Sequence, residues 1–399
     1  MKKLVTTPQS IVSDVARAET LDAGWYLDPV IYDKEIERIF ARTWQCAARV
    51  DQIASAGDTF TTDVAGEPIV ILRDSENRLR AYYNVCPHRA GIVSRGAGSR
   101  KTLQCLYHGW TFDLDGCLLR TPGLEGTEGF DPKDFGLKAI RVDIWGPYIF
   151  VNLDPNAPPL AQTWGDALTA TSGIDLNAWR LVERAEYLID ANWKVYMDNY
   201  AEGYHVPFAH PGIAKEMNLD DYFVDTWRFH SQQRVRVKPA GKGNARDRRY
   251  PNPGPNDFIK YHVMFPNFMI DEYPDNLSVN IVKPVSADKT LLTFEWYFRE
   301  EHDEETMSTM VRFADEIQYE DIEICEYVQR GLKSRSYQRG RFSARHENGV
   351  HHFQQLVLEY LANDEIPLDL SLTPREDWSN LLKRWRGDQG RAARLAAGD

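Results

Sequence analysis

Apolar and polar positions change their period several times along the 399-residue chain. Over residues 32–44, Ile36, Ile39, Phe40 and Trp44 recur at helical steps, which predicts a helix. From about 46 to 155 the character changes. Pro68–Leu72, Leu79–Tyr83 and Gly146–Asn152 are β-rich runs separated by Gly, Asp and Asn turns, as in a small all-β domain. Residues 156–180, with Pro, Asn and Gly at their start, read as a linker. Leu181–Ile189 then reads as a strand, and the runs Leu277–Val282 and Thr290–Phe298 suit an antiparallel sheet with one face under helices. Over 304–332 the helical period returns: Met310, Phe313, Ile317, Asp321, Ile324 and Val328 form one stripe, with Glu320, Glu323 and Cys325 off it. The expected fold class is α+β. An N-terminal segment (1–45) packs on a helix-covered antiparallel-sheet domain (161–399), and a small all-β domain (46–160) lies between them in sequence.

Composition narrows the class. Hydrophobic residues at 43% and charged ones at 27% are those of an ordinary globular protein. No apolar run approaches the roughly 20 residues of a membrane-spanning helix. A net charge of −12 argues against nucleic acid, which requires a basic patch, but not against a protein partner. The start, Met-Lys-Lys-Leu-Val, has no apolar stretch behind its lysines, so no signal peptide is expected. Cys46, Cys86, Cys105, Cys117 and Cys325 are an odd set, which favours a reduced, cytoplasmic setting with metal-bound thiolates over a disulfide framework. Gly241-Lys-Gly243 reads as a loop, not a dinucleotide turn, and the Arg-, Gly- and Ala-rich tail after Trp385 as poorly ordered.

Candidate chemistry begins inside the β-rich region. Cys86-Pro-His88 and Cys105-Leu-Tyr-His108 are two ligand arms separated by 16 residues, each with one thiolate and one imidazole. A Cys₂His₂ set also suits zinc, but common zinc patterns group their cysteines in one arm and their histidines in the other. Alternation in both arms lets one iron take both sulfurs and a second take both imidazoles, as in a Rieske [2Fe–2S] centre.

The second candidate is the stretch 192–210. On a helix, Asp198, Glu202 and His205 share one face, and Pro207 is expected to end that helix. His210 then returns from an irregular segment. Two histidines so placed suit two corners of a metal site, or they are two core histidines with satisfied hydrogen bonds. Asp321, a carboxylate in an apolar stripe, is either salt-bridged or the third ligand.

With these two constellations, residues 20–385 resemble the α-subunit of Rieske non-haem iron ring-hydroxylating oxygenases. The residues carrying this are the two cluster loops, Asn192-Trp-Lys194, Asp198-Asn199, Glu202-x-x-His205-x₄-His210, and Glu320-Asp321 followed by Val328–Leu332. The resemblance implies that Cys86, His88, Cys105 and His108 hold the cluster and that His205, His210 and Asp321 hold mononuclear Fe(II). It implies that Glu202 bridges to a cluster histidine of a neighbouring subunit in a head-to-tail homotrimer, with Asp198 and Asn199 beside it. It also implies O₂ as co-substrate and a separate flavin or iron–sulfur reductase, through which NAD(P)H acts indirectly. Glutamate at 202, where most members carry aspartate, and the contexts around His205 and Asp271 resemble the branch acting on choline, carnitine and betaines. That branch implies N-demethylation or hydroxylation of a quaternary ammonium compound, held by aromatic faces drawn from Tyr200, Tyr204, Phe208, Phe265 and Tyr273. The alternatives are an aromatic acid as substrate for ring hydroxylation or dioxygenation, and a Rieske electron carrier or ligand-binding protein without oxygenase activity.

Overall fold

The computed structural model describes residues 11–238, 257–274, 276–299, 302–364 and 366. The Gly241–Gly243 loop and the tail after Trp385 lie outside them. The chain divides into two compact units: residues 36–163, and the residues through Glu35 together with those from Trp164 onward. The boundary thus falls at 35/36, not at 45/46. The helix expected at 32–44 is shorter. α-Helical turns cover Pro29–Glu35, a wider turn covers Ile36–Phe40, and Gln45–Arg49 is already a strand. Glu35 belongs to the second unit because it is buried there against Lys194 and Trp193.

The smaller unit is built of antiparallel sheets. Leu79–Tyr83, Glu67–Arg73, Asp58–Val64 and Gly98–Ser99 lie side by side in that order, and Gln45–Arg49, Tyr148–Asn152 and Arg141–Trp145 form a second sheet. Alternation along Glu67–Arg73 sends Val70 and Leu72 into the cluster around Cys86, Cys105 and Trp110, while Ile69 and Ile71 pack with Ile149 and Val151. Burial on both faces is why this run reads as continuously apolar.

In the larger unit, seven strands form one antiparallel sheet: β1 (Arg180–Ile189), β2 (Met217–Thr226), β3 (His230–Val237), β4 (Phe258–Met264), β5 (Phe268–Glu272), β6 (Asn276–Ser286) and β7 (Lys289–Phe298). Their order across the sheet is β1-β7-β6-β5-β4-β3-β2. Directly opposed residues project to the same face. The pairings Gln233↔Tyr261, Tyr261↔Asp271, Asp271↔Ser278 and Ser278↔Trp296 therefore align five side chains in one row, one per strand.

Helices α1 (Trp193–Tyr200), α2 (Glu304–Leu332) and α3 (Asn348–Ala362) belong to the same unit. The Asn192 side chain caps α1 by accepting from Lys194 N at 3.0 Å, and Asp303 caps α2 by accepting from Thr306 N at 2.7 Å. Glu304 and Glu305 in the first turn of α2 and Arg330 in its last complement the helix dipole.

Three expectations need correction. Residues 160–170, assigned to a linker, form a helix broken at Gly165. In α2 the buried residues include Met310 as expected, but Val328 is exposed, whereas Gln318, Cys325 and Gln329 are buried. The stripe is displaced because both glutamines find partners inside: Tyr196 Oη donates to Gln318 and Asn192 N to Gln329. Lastly, the helix bearing Asp198 ends at Tyr200, before Glu202. Pro207 starts the next short helix, Val206–Ala209, where its missing N–H costs nothing.

Candidate active site

The two cysteine–histidine arms fold alike. In the first, Ala90 N donates to Cys86 O at 2.9 Å and Cys86 N to Gly91 O at 2.7 Å; in the second, Gly109 N donates to Cys105 O and Cys105 N to Trp110 O, both at 2.9 Å. Ala90 and Gly109 take the left-handed conformation that turns each loop (φ 57° and 71°). Asn84 ties the first loop down, accepting from the backbone N–H of Val93 and Ser94.

These turns bring the four side chains together. The His88 and His108 ring centroids are 4.6 Å apart, and His88 stacks on Trp110 at 4.7 Å. Cys86 and Cys105 are buried and adjacent, and burial, followed by the Cys105 thiol, pushes the Cys86 thiol up. His108 Nδ1 is buried without a hydrogen-bond partner. A packed core gives no account of paired thiols beside an orphaned imidazole nitrogen. Two sulfurs and two imidazoles around one point fit a Rieske [2Fe–2S] cluster.

The second centre lies in the larger unit. Its histidines come from the irregular chain that follows α1, and its carboxylate from α2. One ligand atom each from His205, His210 and Asp321 can be chosen so that all lie within 4.8 Å of one another. Asp321 Oδ1 is 3.0 Å from His210 Nε2 and 3.6 Å from His205 Nε2. The opposite ring nitrogens are also taken. His205 Nδ1 lies 2.5 Å from Glu202 Oε1, and His210 Nδ1 lies 2.7 Å from Glu320 Oε2. A carboxylate accepts, so each Nδ1 carries the proton and each Nε2 is free to bind a metal. Two imidazoles and one carboxylate suit non-haem iron. Glu202 also accepts from the backbone N–H of Tyr204 and His205, which fixes the loop carrying the first histidine.

Glu320 carries part of the resemblance, but no role at the site was expected of it. Its position on α2 points it away from the Asp321 stripe, but its longer side chain reaches His210.

Asp198 takes another direction. It is half-buried, accepts from Tyr26 Oη at 2.5 Å and Gln354 Nε2 at 3.0 Å, and lines a second cavity that Glu202 and His205 also border. Burial pushes its carboxyl up to about 7, against the opposing hydrogen bonds from Tyr26 and Gln354. Asn199 borders both cavities.

Beside the His205–His210–Asp321 group opens a cleft that all three residues line. Of the five aromatic residues expected to line it, Tyr200 and Tyr273 do so. Tyr204 instead stacks on His346, Phe208 is 84% exposed, and Phe265 is core, packed on Tyr360 and Phe353. The early end of α1 is what turns Tyr204 and Phe208 outward. Tyr261 and Trp296, from the row across the sheet, complete the aromatic wall. Tyr261 meets Tyr200 and Tyr273 edge-on, each at 6.1 Å.

A β-rich unit with a Cys₂His₂ pair of loops, joined in one chain to a sheet domain with a two-histidine, one-carboxylate centre, defines a two-centre iron oxygenase. Residues 43–131 match the Rieske [2Fe-2S] domain, and residues 176–363 match the ring hydroxylating alpha subunit catalytic domain. The chloroplastic choline monooxygenase of Arabidopsis thaliana is 33% identical over 86% of this chain and 82% of its own. The carnitine monooxygenase oxygenase subunit of Acinetobacter baumannii is 31% identical over 90% of this chain and 100% of its own. A solved quaternary ammonium Rieske monooxygenase, studied for carnitine oxidation and inter-subunit electron transfer, superposes with a TM-score of 0.77 at 30% identity, covering 90% of this chain and 100% of that one.

The chain belongs to the Rieske non-haem iron oxygenases. It is an oxidoreductase whose cofactors are a [2Fe–2S] cluster and a mononuclear iron, using O₂ and electrons from a separate reductase on a small-molecule substrate. No helix among the described residues is long and apolar enough to cross a membrane.

Proposed function

We propose that the chain is the oxygenase component of a system that hydroxylates a C–H bond beside the nitrogen of a quaternary ammonium compound. The observation that carries this reading is the cleft wall. Tyr200, Tyr261, Tyr273 and Trp296 surround the buried carboxylate of Asp271 in the same cleft as His205, His210 and Asp321. A quaternary ammonium has no N–H to donate, so aromatic faces and negative charge are what hold it. The relatives named for choline and carnitine support the same class.

In this reading Cys86, His88, Cys105 and His108 hold the cluster, and His205 Nε2, His210 Nε2 and Asp321 hold the iron. When bound, the cluster passes electrons one at a time and the iron activates O₂. The protein's own part is positional. Glu202 and Glu320 each hold a proton on a histidine Nδ1, which keeps both rings in the metal-binding tautomer. The aromatic wall keeps water away from the reacting carbon. Overall, one O₂, two electrons and two protons yield a hydroxylated carbon and one water. When the carbon is an N-methyl group, the product separates into formaldehyde, a proton and the tertiary amine.

The assembly in this reading is a cytoplasmic, head-to-tail homotrimer in which Glu202 reaches His108 of the neighbouring subunit. The outward-facing Tyr204 and Phe208 suit burial against that neighbour. The solved relative studied for inter-subunit electron transfer supports this arrangement.

The test is anaerobic reduction of the iron-loaded protein, then O₂ with choline, glycine betaine, carnitine, a proline betaine and several aromatic acids. Formaldehyde or an aldehyde from a quaternary amine is the expected result. Product from aromatic acids alone overturns the substrate class and leaves both centres standing.

A further inference from the structure

This inference rests on the quaternary-ammonium reading and deepens it. We propose that Asp271 is the counter-ion of the substrate's ammonium group and the residue that makes the cleft select a cation over a neutral molecule of the same shape.

Asp271 is 6% exposed and lines the cleft. Its Oδ1 accepts from Tyr200 Oη, and its Oδ2 accepts from Ser278 Oγ at 2.6 Å and Asn280 Nδ2 at 2.9 Å. All three donors are neutral. They orient the carboxylate and satisfy its lone pairs, but they do not cancel its charge. If structure alone were served here, an uncharged side chain would avoid the cost of burying a charge.

The surrounding charges match this carboxylate only in part: His262 draws it down weakly against the effect of burial. Among the described residues lining the cleft there is no lysine or arginine, and the other two carboxylates, Glu202 and Asp321, face histidines. Lys260 and His262 stand on the strand next to Asp271 but flank Tyr261, so alternation turns them to the opposite face. Lys260 is 2.8 Å from Glu272, and His262 lies between Glu272 and His230. Burial pushes the Asp271 carboxyl up, and a cation bound beside it opposes that shift.

The row across the sheet explains the placement. Tyr261 and Ser278 lie directly opposite Asp271 on either side, and Trp296 follows Ser278. A cation over this row meets a carboxylate flanked by aromatic rings. That combination attracts a charge without requiring it to donate a hydrogen bond.

The experiment is anaerobic calorimetric binding to the iron-loaded full-length protein. The probes are choline and its neutral isostere, in which carbon replaces nitrogen. Wild type is expected to prefer choline. Asp271→Asn is expected to weaken choline by about tenfold or more while leaving the isostere unchanged. Adding Asn280→Asp to that variant returns one carboxylate to the same hydrogen-bonded group and is expected to recover the preference, which keeps the test decisive if the single variant folds poorly. A folded Asp271→Asn protein with undiminished preference for choline overturns the assignment of Asp271 and leaves the substrate class intact. So does a double variant that folds but does not recover the preference. Wild type with no preference for choline overturns the quaternary-ammonium reading, and this inference with it.

Discussion

Glu320 Oε2 lies 2.7 Å from His210 Nδ1, while Oδ1 of the next residue, Asp321, lies 3.0 Å from Nε2 of the same ring. Two consecutive side chains of α2 thus address opposite edges of one imidazole. Glu202 does for His205 what Glu320 does for His210, so each histidine of the proposed iron site has its own glutamate.

Removing that support leaves the ligand in place but unfixed. Glu320→Ala is expected to lower iron affinity or activity by about ten- to a hundredfold, with the cluster unaffected. Glu320→Gln, which still accepts at its amide oxygen, should lose less. Iron content separated from cluster absorbance, together with kcat, checks this. An alanine variant with full iron and full kcat would remove Glu320 from the site.

Asp198 makes stability fall as pH rises. Its folded carboxyl sits at about 7, above the roughly 3.9 of an unfolded aspartate. Between those values the native state holds more protons than the unfolded state. Its contribution is therefore complete below about pH 4 and lost as pH climbs through about 7. The loss is on the order of a few kcal/mol. Asp198→Asn keeps an acceptor for Tyr26 and has no charge to acquire. Thermal unfolding across this window should show a smaller decline with rising pH for the variant than for wild type, and parallel curves would rule the assignment out.

Lys194 and Glu35 form an ion pair, 2.5 Å apart, in which both side chains are fully buried. Trp193 Nε1 also donates to Glu35 at 2.8 Å, so the carboxylate is held from two sides. Lys194→Met leaves the carboxylate without a cation and is expected to cost about 3–5 kcal/mol in denaturant unfolding. Adding Glu35→Gln should return part of that loss, because no unpaired charge then remains. Strictly additive losses would mean the pair is not coupled.

How far these features were legible depends on the range of the signal. Cys86, His88, Cys105 and His108 are readable because each arm is a local turn whose spacing survives in the sequence. His205 and His210 are readable for the same reason. Glu320 was not, because neighbouring helix positions are about 100° apart and only its length brings it back to His210. A second acid beside the candidate ligand was the available signal. Gln318 and Gln329 hid the buried stripe of α2, since their partners come from distant elements. Gly203 concealed the end of α1. A Cβ there would meet the Tyr222 ring at 2.5 Å, a contact set by tertiary packing. Helix α3 was missed although Val350, Phe353, Val357 and Leu361 recur at helical steps. The row through Asp271 depends on strand register, which alternation alone does not specify.

Gly349, in the first turn of α3, governs the approach of that helix to the end of α1. A Cβ at this position would sit 2.3 Å from the carbonyl oxygen of Ala201. The obstructing atom is backbone, not the tip of a flexible side chain, so relief requires moving Ala201 and with it Glu202, which orients His205. Gly349→Ala is expected to destabilise by about 1–3 kcal/mol and to lower iron retention as well. Gly331 in α2 supplies the contrast, because a Cβ there meets nothing within 4 Å. Gly331→Ala removes backbone freedom from the unfolded chain at no steric cost and is expected to stabilise by about 0.5–1 kcal/mol without changing iron content. Denaturant midpoints and iron analysis on the two variants separate the close approach from the general effect of replacing a helical glycine. A Gly349→Ala protein that matches wild type in both would show that the two helices do not need this contact to place Glu202.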